Sequence, residues 1–128
     1  MKADHVGTRV ASQLSIMWVR HRQVPTGTVA VQLKGEIDGS NAAQVAGLAD
    51  GLYGGAVIIL DMSDVSFLGA AGLTALLQLA ARLRLVGGRL VLTGTDHRPV
   101  RTPIVICGLD SILDRRSTTA TRPEKSPT

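Results

Sequence analysis

Two segments of the chain alternate between apolar and polar side chains, which is the pattern of a strand with one face in the core. The first runs from Leu14 to Val19 and the second from Thr28 to Lys34. A period of two residues places successive side chains on opposite faces of a sheet. The sequence from Val24 to Gly27, which contains Pro25, separates the two segments. We therefore predict an antiparallel pair of strands joined by a turn.

Two further segments are apolar without alternation. Val57 to Leu60 and Leu90 to Leu92 carry only aliphatic side chains, as do central strands that are covered on both faces. A leucine-rich helical pattern lies between them, so we predict that these two strands are parallel. The polar sequence from Asp61 to Asp64 is expected to form a corner that ends the first of them.

Helices are predicted from the spacing of the remaining apolar side chains. The first follows a loop over residues 35–41, with Ser40 or Asn41 as its N-cap. The second extends from about Ala70 to Leu85, where apolar residues at i, i+3, i+4, i+7 and i+10 define one buried face. These residues are Leu73, Leu76, Leu77, Ala80 and Leu83.

A third helix is predicted around Val100 and Ile104, which recur on one face together with Cys107. Gly108 has the character of a residue just beyond a helix end, because glycine adopts a positive φ without strain. Three apolar residues after it are expected to close the core: Leu109, Ile112 and Leu113.

The composition is that of one soluble globular domain. The chain has 128 residues, of which 45% are hydrophobic and 19% charged, enough for a single core and too few for two ordinary domains. We expect a flexible arm over residues 1–13, an α/β domain over residues 14–114 and a disordered basic tail over residues 115–128. The domain should contain a mixed sheet of four to five strands with helices packed on it.

The positive charge does not indicate nucleic-acid binding. The formal net charge is +4, but residues 115–128 alone carry +3. The preceding residues are therefore close to neutral, and they offer only Trp18, Tyr53 and Phe67 as aromatic side chains on which bases could stack. We expect no direct contact with nucleic acid.

Cysteine use and hydropathy favour a cytoplasmic location. Cys107 is the only cysteine, so an intramolecular disulfide is excluded, and a buried thiol in a reducing compartment is expected. The longest apolar run, Ala56 to Leu60, is too short to cross a bilayer. The first residues lack the pattern of a signal peptide, so we expect no membrane insertion.

Three aspartates follow predicted strands and are candidates for chemistry. Asp38, Asp61 and Asp96 would approach one another if the strand ends converge at one sheet edge. A metal-assisted phosphoacceptor site would also need a lysine on a later strand, which the sequence from Leu90 to Leu92 lacks. The simpler interpretation is that Asp61 and Asp64 bind loop amides.

Other constellations point away from catalysis. The three histidines have no metal-ligand spacing, and no Ser–His–Asp set can be assembled, so we expect neither a metal nor a catalytic residue. The small residues from Gly69 to Gly72 would suit a phosphate at a helix N-terminus. They lack the Lys-Ser/Thr of a P-loop and the spacing of a dinucleotide fingerprint, and we expect no cofactor.

The order of these elements and their motifs resembles a STAS domain, and most of all the bacterial anti-sigma factor antagonists, over roughly residues 14–114. Five motifs carry the resemblance: residues 35–38 (Gly-Glu-Ile-Asp), residues 61–67 (Asp-Met-Ser-Asp-Val-Ser-Phe), Gly72-Leu73, Gly87-Gly88 and residues 107–113 (Cys-Gly-Leu-Asp-Ser-Ile-Leu).

The resemblance implies a phosphorylation switch at the start of the second helix. In that family a hydroxyl residue just before the glycine accepts phosphate from a kinase-type anti-sigma factor, and phosphorylation breaks the complex. Here the family's aspartate corresponds to Gly69, the first hydroxyl residue to Ala70 and the phosphoacceptor to Ala71. Alanine has no oxygen to phosphorylate.

The function implied by this resemblance is that of a non-enzymatic binding module. It would bind a kinase-type anti-sigma factor and release a sigma factor for transcription, without the usual switch at Ala71. The partner-binding residues would be Asp38, Gly69, Ala70, Ala71, Gly72, Leu73 and Thr74. A homodimer is compatible with the sequence.

Two other functions remain open at this point. A STAS subunit of an ABC-type membrane transport complex, docked on its ATPase, would need no phosphoacceptor either. A small nucleotide-binding protein is the weaker alternative. The sequence names no particular sigma or anti-sigma factor, and regulation at Thr74 or Cys107 also stays open.

Overall fold

The computed structural model describes residues 4–20, 27–52 and 54–116. In this part of the chain three helices pack on a six-stranded sheet. The strands are β1 (Asp4–Ala11), β2 (Leu14–Arg20), β3 (Thr28–Ile37), β4 (Val57–Leu68), β5 (Arg89–Thr93) and β6 (Asp114–Arg116). The helices are α1 (Ala42–Ala46), α2 (Ala70–Leu85) and α3 (Arg98–Ile106), with short 3₁₀ turns at Gly47–Ala49 and Leu109–Ser111.

The strands follow their sequence order across the sheet, from β1 at one edge to β6 at the other. The pairs β1–β2 and β2–β3 are antiparallel, whereas β3–β4, β4–β5 and β5–β6 are parallel. The predicted α/β fold with a mixed sheet is therefore confirmed, with one edge strand added on each side.

Aliphatic side chains from the sheet and from all three helices form one core, as the scarcity of aromatic residues requires. Its largest fully buried members are Leu14, Ile16, Leu33, Ile37, Ile58, Leu60, Met62, Leu76, Leu79, Leu83, Leu92 and Ile104. Helix α2 contributes three of them from one face, and that face sets the position of its N-terminus.

The end of α2 is fixed by two glycines. Gly87 has a φ of +78°, and its N–H binds Arg84 O at 3.0 Å while the N–H of Gly88 binds Leu83 O at 2.8 Å. These two bonds form a Schellman motif. A side chain at Gly88 would overlap the carbonyl of Ala56, so glycine lets β5 start directly beside β4.

The two ends of the described chain differ from the predictions. Residues 4–11 form edge strand β1 instead of part of an arm. The residues Thr8, Arg9 and Val10 are all exposed, so they produce no alternation for a sequence pattern to reveal. At the other end, residues 114–116 form β6 and do not belong to a tail. Residues 117–128 and most of the predicted turn at 24–27 lie outside the described residues.

The predicted corner after Leu60 is wrong, because β4 continues to Leu68. The buried residues in its second half are Met62, Val65 and Leu68, so each lies three positions after the one before. The register with β3 shifts twice along this stretch, and such irregularities let a strand turn successive side chains toward the core without a period of two.

The region after α3 is more exposed than predicted. Val100 and Ile104 are buried as expected, and Gly108 has a φ of +73°. Cys107 is exposed, however, and so is 57% of Ile112. Helix α3 ends at Ile106, so Cys107 does not continue the buried face that its spacing predicted.

Candidate functional site

The candidate site is the junction between β4 and α2. Gly69 is the N-cap of α2, with extended backbone at φ −87° and ψ −179° and with no side-chain cap. Its N–H binds Ile37 O at 3.0 Å, and its carbonyl accepts the N–H of Leu73 at 3.0 Å. A main-chain hydrogen bond therefore joins the end of β3 to the N-cap of α2.

Close packing explains the second glycine of the junction. A Cβ on Gly72 would lie 2.7 Å from Leu68 Cδ1 and 2.8 Å from Ile37 Cγ2. Gly72 and Leu73 are both buried. Of the predicted binding residues, these two face the core, so they support the surface from beneath without contributing side chains to it.

The outward side of the first turn is small and uncharged. Ala70 and Thr74 are exposed, and Ala71 is half-buried. Exposed Gln78 and Ala81 continue the same face over the next turns, at the i+4 and i+3 spacing of neighbours on a helix surface. No acidic residue lies in the first turn, so no carboxylate of the helix itself complements the positive end of its dipole.

Phe67 belongs to this surface, although the family resemblance did not place it among the partner-binding residues. Its side chain is 48% exposed. A Cβ on Gly69 would lie 3.0 Å from its Cε2 atom, so the ring lies directly against the turn. An aromatic residue just beyond a predicted strand was the available signal, but its exposure depends on the length of β4.

The Asp38 loop is held beside the junction. The carboxylate of Asp38 accepts the N–H of Ser40 at 2.9 Å and also its hydroxyl. These two bonds hold the pKa of Asp38 below the ordinary value of 3.8, and the bond from the hydroxyl has the larger effect. Because Ile37 O binds Gly69, this anion lies one residue away from the bond that anchors α2.

Asn41 fixes the loop from inside. It is buried and stands at the predicted N-cap position, but its side chain does not cap α1. Instead its Oδ1 accepts the N–H of Asp38 at 3.0 Å and its Nδ2 donates to Glu36 O at 2.9 Å. The loop is thus rigidly positioned, which suits a surface that another protein recognises.

Asp38 and Asp61, two of the three aspartates that follow predicted strands, do not converge. Asp61 lies inside β4, whereas Ile37, the neighbour of Asp38, pairs with Leu68 of the same strand. Leu68 follows Asp61 by seven residues, so the two positions are about 23 Å apart at the rise of a strand. Asp61 binds the N–H of Ser63 at 2.9 Å, as predicted. Asp64 accepts the side-chain amide of Gln32 at 3.4 Å instead of a loop amide. The three acids that a metal-assisted phosphoacceptor site would need are therefore not brought together.

A comparison with protein-family models identifies the family of this chain. The STAS domain model matches residues 20–123. The chain belongs to the STAS domain family. A search of curated proteins found no match. In the described part of the STAS chain, no helix is both long enough and apolar enough to span a membrane.

Solved structures with a similar fold include proteins of two kinds. An anti-sigma factor antagonist from Mycobacterium paratuberculosis is 26% identical, with a TM-score of 0.56 over 88% of this chain and 92% of that one. The anti-sigma factor antagonist SpoIIAA in its unphosphorylated form is 22% identical, with a TM-score of 0.59 over 84% of this chain and 96% of that one. A sulfate transporter family protein from Wolinella succinogenes is 25% identical, with a TM-score of 0.57 over 72% of this chain and 75% of that one.

Proposed function

We propose that this STAS protein is an anti-sigma factor antagonist, a non-enzymatic module that binds a kinase-type anti-sigma factor in the cytoplasm and so releases a sigma factor. The contact between the Gly69 N–H and Ile37 O carries the proposal. It holds the charged Asp38 loop next to the exposed start of α2, so that both lie in one rigid surface. The antagonist neighbour from Mycobacterium paratuberculosis supports the assignment.

The proposed surface combines an apolar part with a charged border. Phe67, Ala70 and Thr74 form the exposed, uncharged part, and Asp38 lies at its border. Protein interfaces favour this arrangement, because aromatic side chains gain from desolvation at the centre while charges at the rim orient the partner.

The second part of the proposal is that position 71 cannot act as a switch. Neither Gly69, Ala70 nor Ala71 has a hydroxyl, so a kinase that reaches this turn finds no nucleophile. The backbone of the turn is nevertheless retained. We expect the antagonist to remain bound in the presence of ATP.

The test is binding of purified anti-sigma factors of the host, with and without ATP, together with measurement of phosphate incorporation by mass spectrometry. The wild type should bind one of them and stay unphosphorylated at the junction. The variant Ala71→Glu should weaken the complex, because it places a carboxylate at the centre of the surface. Gln78→Glu, two turns along the same helix face, is the matched control and should retain more of the affinity.

Two results would contradict the proposal. If the wild type binds none of the host's anti-sigma factors, the assignment as an antagonist is wrong. If it binds but is phosphorylated at Thr74 and then dissociates, the assignment stands and the lack of a switch is wrong.

A transport role is the second candidate, because the sulfate transporter family protein from Wolinella succinogenes has a similar structure. In that case the same surface would dock on a transport ATPase. Affinity purification of the tagged chain discriminates the two, since it should recover an anti-sigma factor under our proposal and membrane transport components under the alternative. Nucleotide binding is disfavoured by geometry, because Gly72 packs against Ile37 and Leu68 and does not line an open cradle.

A further inference from the structure

Large aliphatic side chains are exposed at the end of the sheet where the parallel strands β4 and β5 begin. Seven large apolar side chains are exposed among the described residues. Val10 lies on β1 and Phe67 at the junction, whereas the other five are at the ends of α2 and α3 or in the turn before β6: Leu85, Val86, Val105, Ile106 and Ile112. Leu85 is 87% exposed and Ile106 is 77% exposed, so water surrounds most of each side chain.

The course of the chain brings these five residues together. Helices α2 and α3 each return from the carboxyl end of one parallel strand to the start of the next. At the end of α2, the carbonyl of Val86 accepts the N–H of Gly55, just before β4. Ile112 and Arg84 line one small cavity together with the start of β5. We name the surface that the five exposed residues form the basal patch.

Unpaired positive charge lies next to the apolar side chains of the basal patch. Arg84 shares the small cavity with Ile112. Arg101 precedes Val105 by four residues, so both project from the same face of α3. Both arginines are exposed. Among the described residues, neither guanidinium group makes a hydrogen bond or an ion pair.

The acidic residues at this end of the molecule do not neutralise that charge. The two that follow α3 are already held in ion pairs, Asp114 with Arg89 and Arg116 and Asp110 with Arg115. Asp50 stands after the first 3₁₀ turn, on the side of α1. The basal patch is therefore complementary to a surface that offers apolar material beside negative charge.

The shape of the patch favours a lipid surface over a folded partner. The cavity beside Arg84 and Ile112 has a volume of about 90 Å³, whereas ligand sites in proteins usually exceed roughly 300 Å³. It does not form a groove in which a peptide or a helix would bury its own side chains. A second copy of the chain would bring Arg84 and Arg101 against the same positive charge. A fluid bilayer needs no groove, since it closes around aliphatic side chains that protrude from a protein.

We propose that the basal patch docks on an anionic membrane surface without crossing the bilayer. The aliphatic side chains enter the boundary between headgroups and acyl chains, and the two arginines bind lipid phosphates. Helix α2 has 16 residues and is therefore about 24 Å long, so its exposed start at the junction faces away from the membrane. Docking thus leaves the surface around Gly69 open. The inference goes beyond the proposed function and does not depend on it.

Sedimentation of the purified full chain with lipid vesicles tests this inference. The wild type should bind vesicles made of equal parts of phosphatidylcholine and phosphatidylglycerol. It should bind vesicles of phosphatidylcholine alone much more weakly, and salt should release it. Ile106→Asn should lower the affinity for the anionic vesicles about tenfold, because it removes an aliphatic side chain from the bilayer boundary. Val10→Asn changes a side chain on β1 that is 71% exposed, and this control should bind like the wild type.

A second pair of variants tests the charge. Arg84→Gln should weaken binding about fivefold at low salt, since each basic residue at an anionic surface contributes roughly that factor. Lys34→Gln removes the same charge from an exposed position on β3 and should change the affinity less than about twofold. All variants keep the basic residues of positions 117–128, so those residues cannot cause a difference between them. Circular dichroism should show the wild-type fold for each variant.

Three results would overturn the inference. A wild type that fails to bind the anionic vesicles has no such docking site. Equal binding by the wild type, Ile106→Asn and Arg84→Gln would place the lipid contact elsewhere on the chain. Hydrogen exchange that slows at residues 84–86 and 105–112 with the purified anti-sigma factor, and not with vesicles, would assign the basal patch to a protein partner. Slower exchange at these residues with the vesicles supports the inference.

Discussion

Gly72 is the residue at which the core and the candidate surface meet. It is buried in the first turn of α2, against Leu68 and Ile37. We predict that Gly72→Ala lowers the free energy of unfolding by about 1–3 kcal/mol, the usual cost of overpacking a well-filled core. This loss should exceed the gain of about 1 kcal/mol that alanine brings to a helix interior. Urea denaturation measures the difference.

Gly39 provides the control for that experiment. It lies in the loop near Asp38, has no positive φ, and a Cβ added to it meets no atom within 4 Å. Gly39→Ala should therefore leave the stability unchanged or raise it slightly, because it restricts the unfolded chain. A Gly72→Ala variant as stable as Gly39→Ala would show that the junction has room for a side chain.

Asp38 should make part of the stability depend on pH. Its pKa is lowered in the folded protein by the hydroxyl and N–H of Ser40. A carboxyl group with a lowered pKa stabilises the fold above its unfolded value of 3.8, and this contribution disappears as the pH falls through the folded value. The stability difference between the wild type and Asp38→Asn should thus be largest at neutral pH.

Urea unfolding of both proteins across the range from about pH 7 to about pH 3 gives that difference. The two curves should approach each other at the acidic end of the range. A gap of constant size would mean that the effect of Asp38→Asn comes from geometry and not from the charge.

At the scale of single elements, α2 begins without the acidic residues that usually favour a helix N-terminus. Its cap is Gly69 and its first turn has no acidic side chain. Ala70→Asp should therefore raise the stability by about 0.3–1 kcal/mol through the helix dipole, and Ala70→Lys should lower it. Denaturation at low and high salt tests this, since screening should remove the difference.

The same pair of substitutions at Gln78 is the control. This residue is exposed like Ala70 but lies in the middle of the helix, where the dipole has little effect. Equal responses at both positions would show that the start of α2 has no electrostatic preference of its own.

Helix α3 offers a matched test of which face is buried. Ile104 has no exposed surface, whereas Ile106 is 77% exposed. Ile104→Ala should cost about 2–5 kcal/mol, the range for removing a buried aliphatic side chain. Ile106→Ala should change the stability by less than about 0.5 kcal/mol. Similar losses from the two variants would indicate that Ile106 is covered in solution.

Elements with a regular pattern were the ones that the sequence could predict. The boundaries of α2 agree with the prediction, because its leucines repeat with the helix period and glycines stand at both ends. Strand β1 was missed because exposed residues leave no pattern. The second half of β4 was missed because its buried positions follow neither a period of two nor one of 3.6.

At the scale of the whole molecule, the candidate site is assembled by contacts between residues far apart in the sequence. A local sequence pattern does not predict such contacts. The sequence placed Asp38 and the residues from Gly69 to Thr74 together through the family resemblance, and the Gly69–Ile37 hydrogen bond joins their two segments. The position of the turn between β1 and β2 was not expected either, since it follows from the register of β2 and β3 around Gly35. The exposure of Phe67 could not be predicted either, because it depends on how far β4 extends.

Hydrogen exchange with and without the anti-sigma factor should map the surface on the whole protein. We expect slower exchange on binding at residues 36–41 and 67–74, because these segments would lose contact with water. The amides of α3, on residues 98–106, should be unaffected. Protection confined to α3 would place the partner on another face of the molecule and contradict the proposed surface.

The backbone bond between Gly69 and Ile37 has a consequence for how such proteins diverge. Because main-chain atoms hold the junction, the side chains at positions 70 and 71 contribute little to its shape. Mutation can therefore remove or restore a hydroxyl there while the fold persists. Under the proposed function, a lineage can pass between regulated and constitutive forms of the same antagonist by small steps, without an unfolded intermediate along the way.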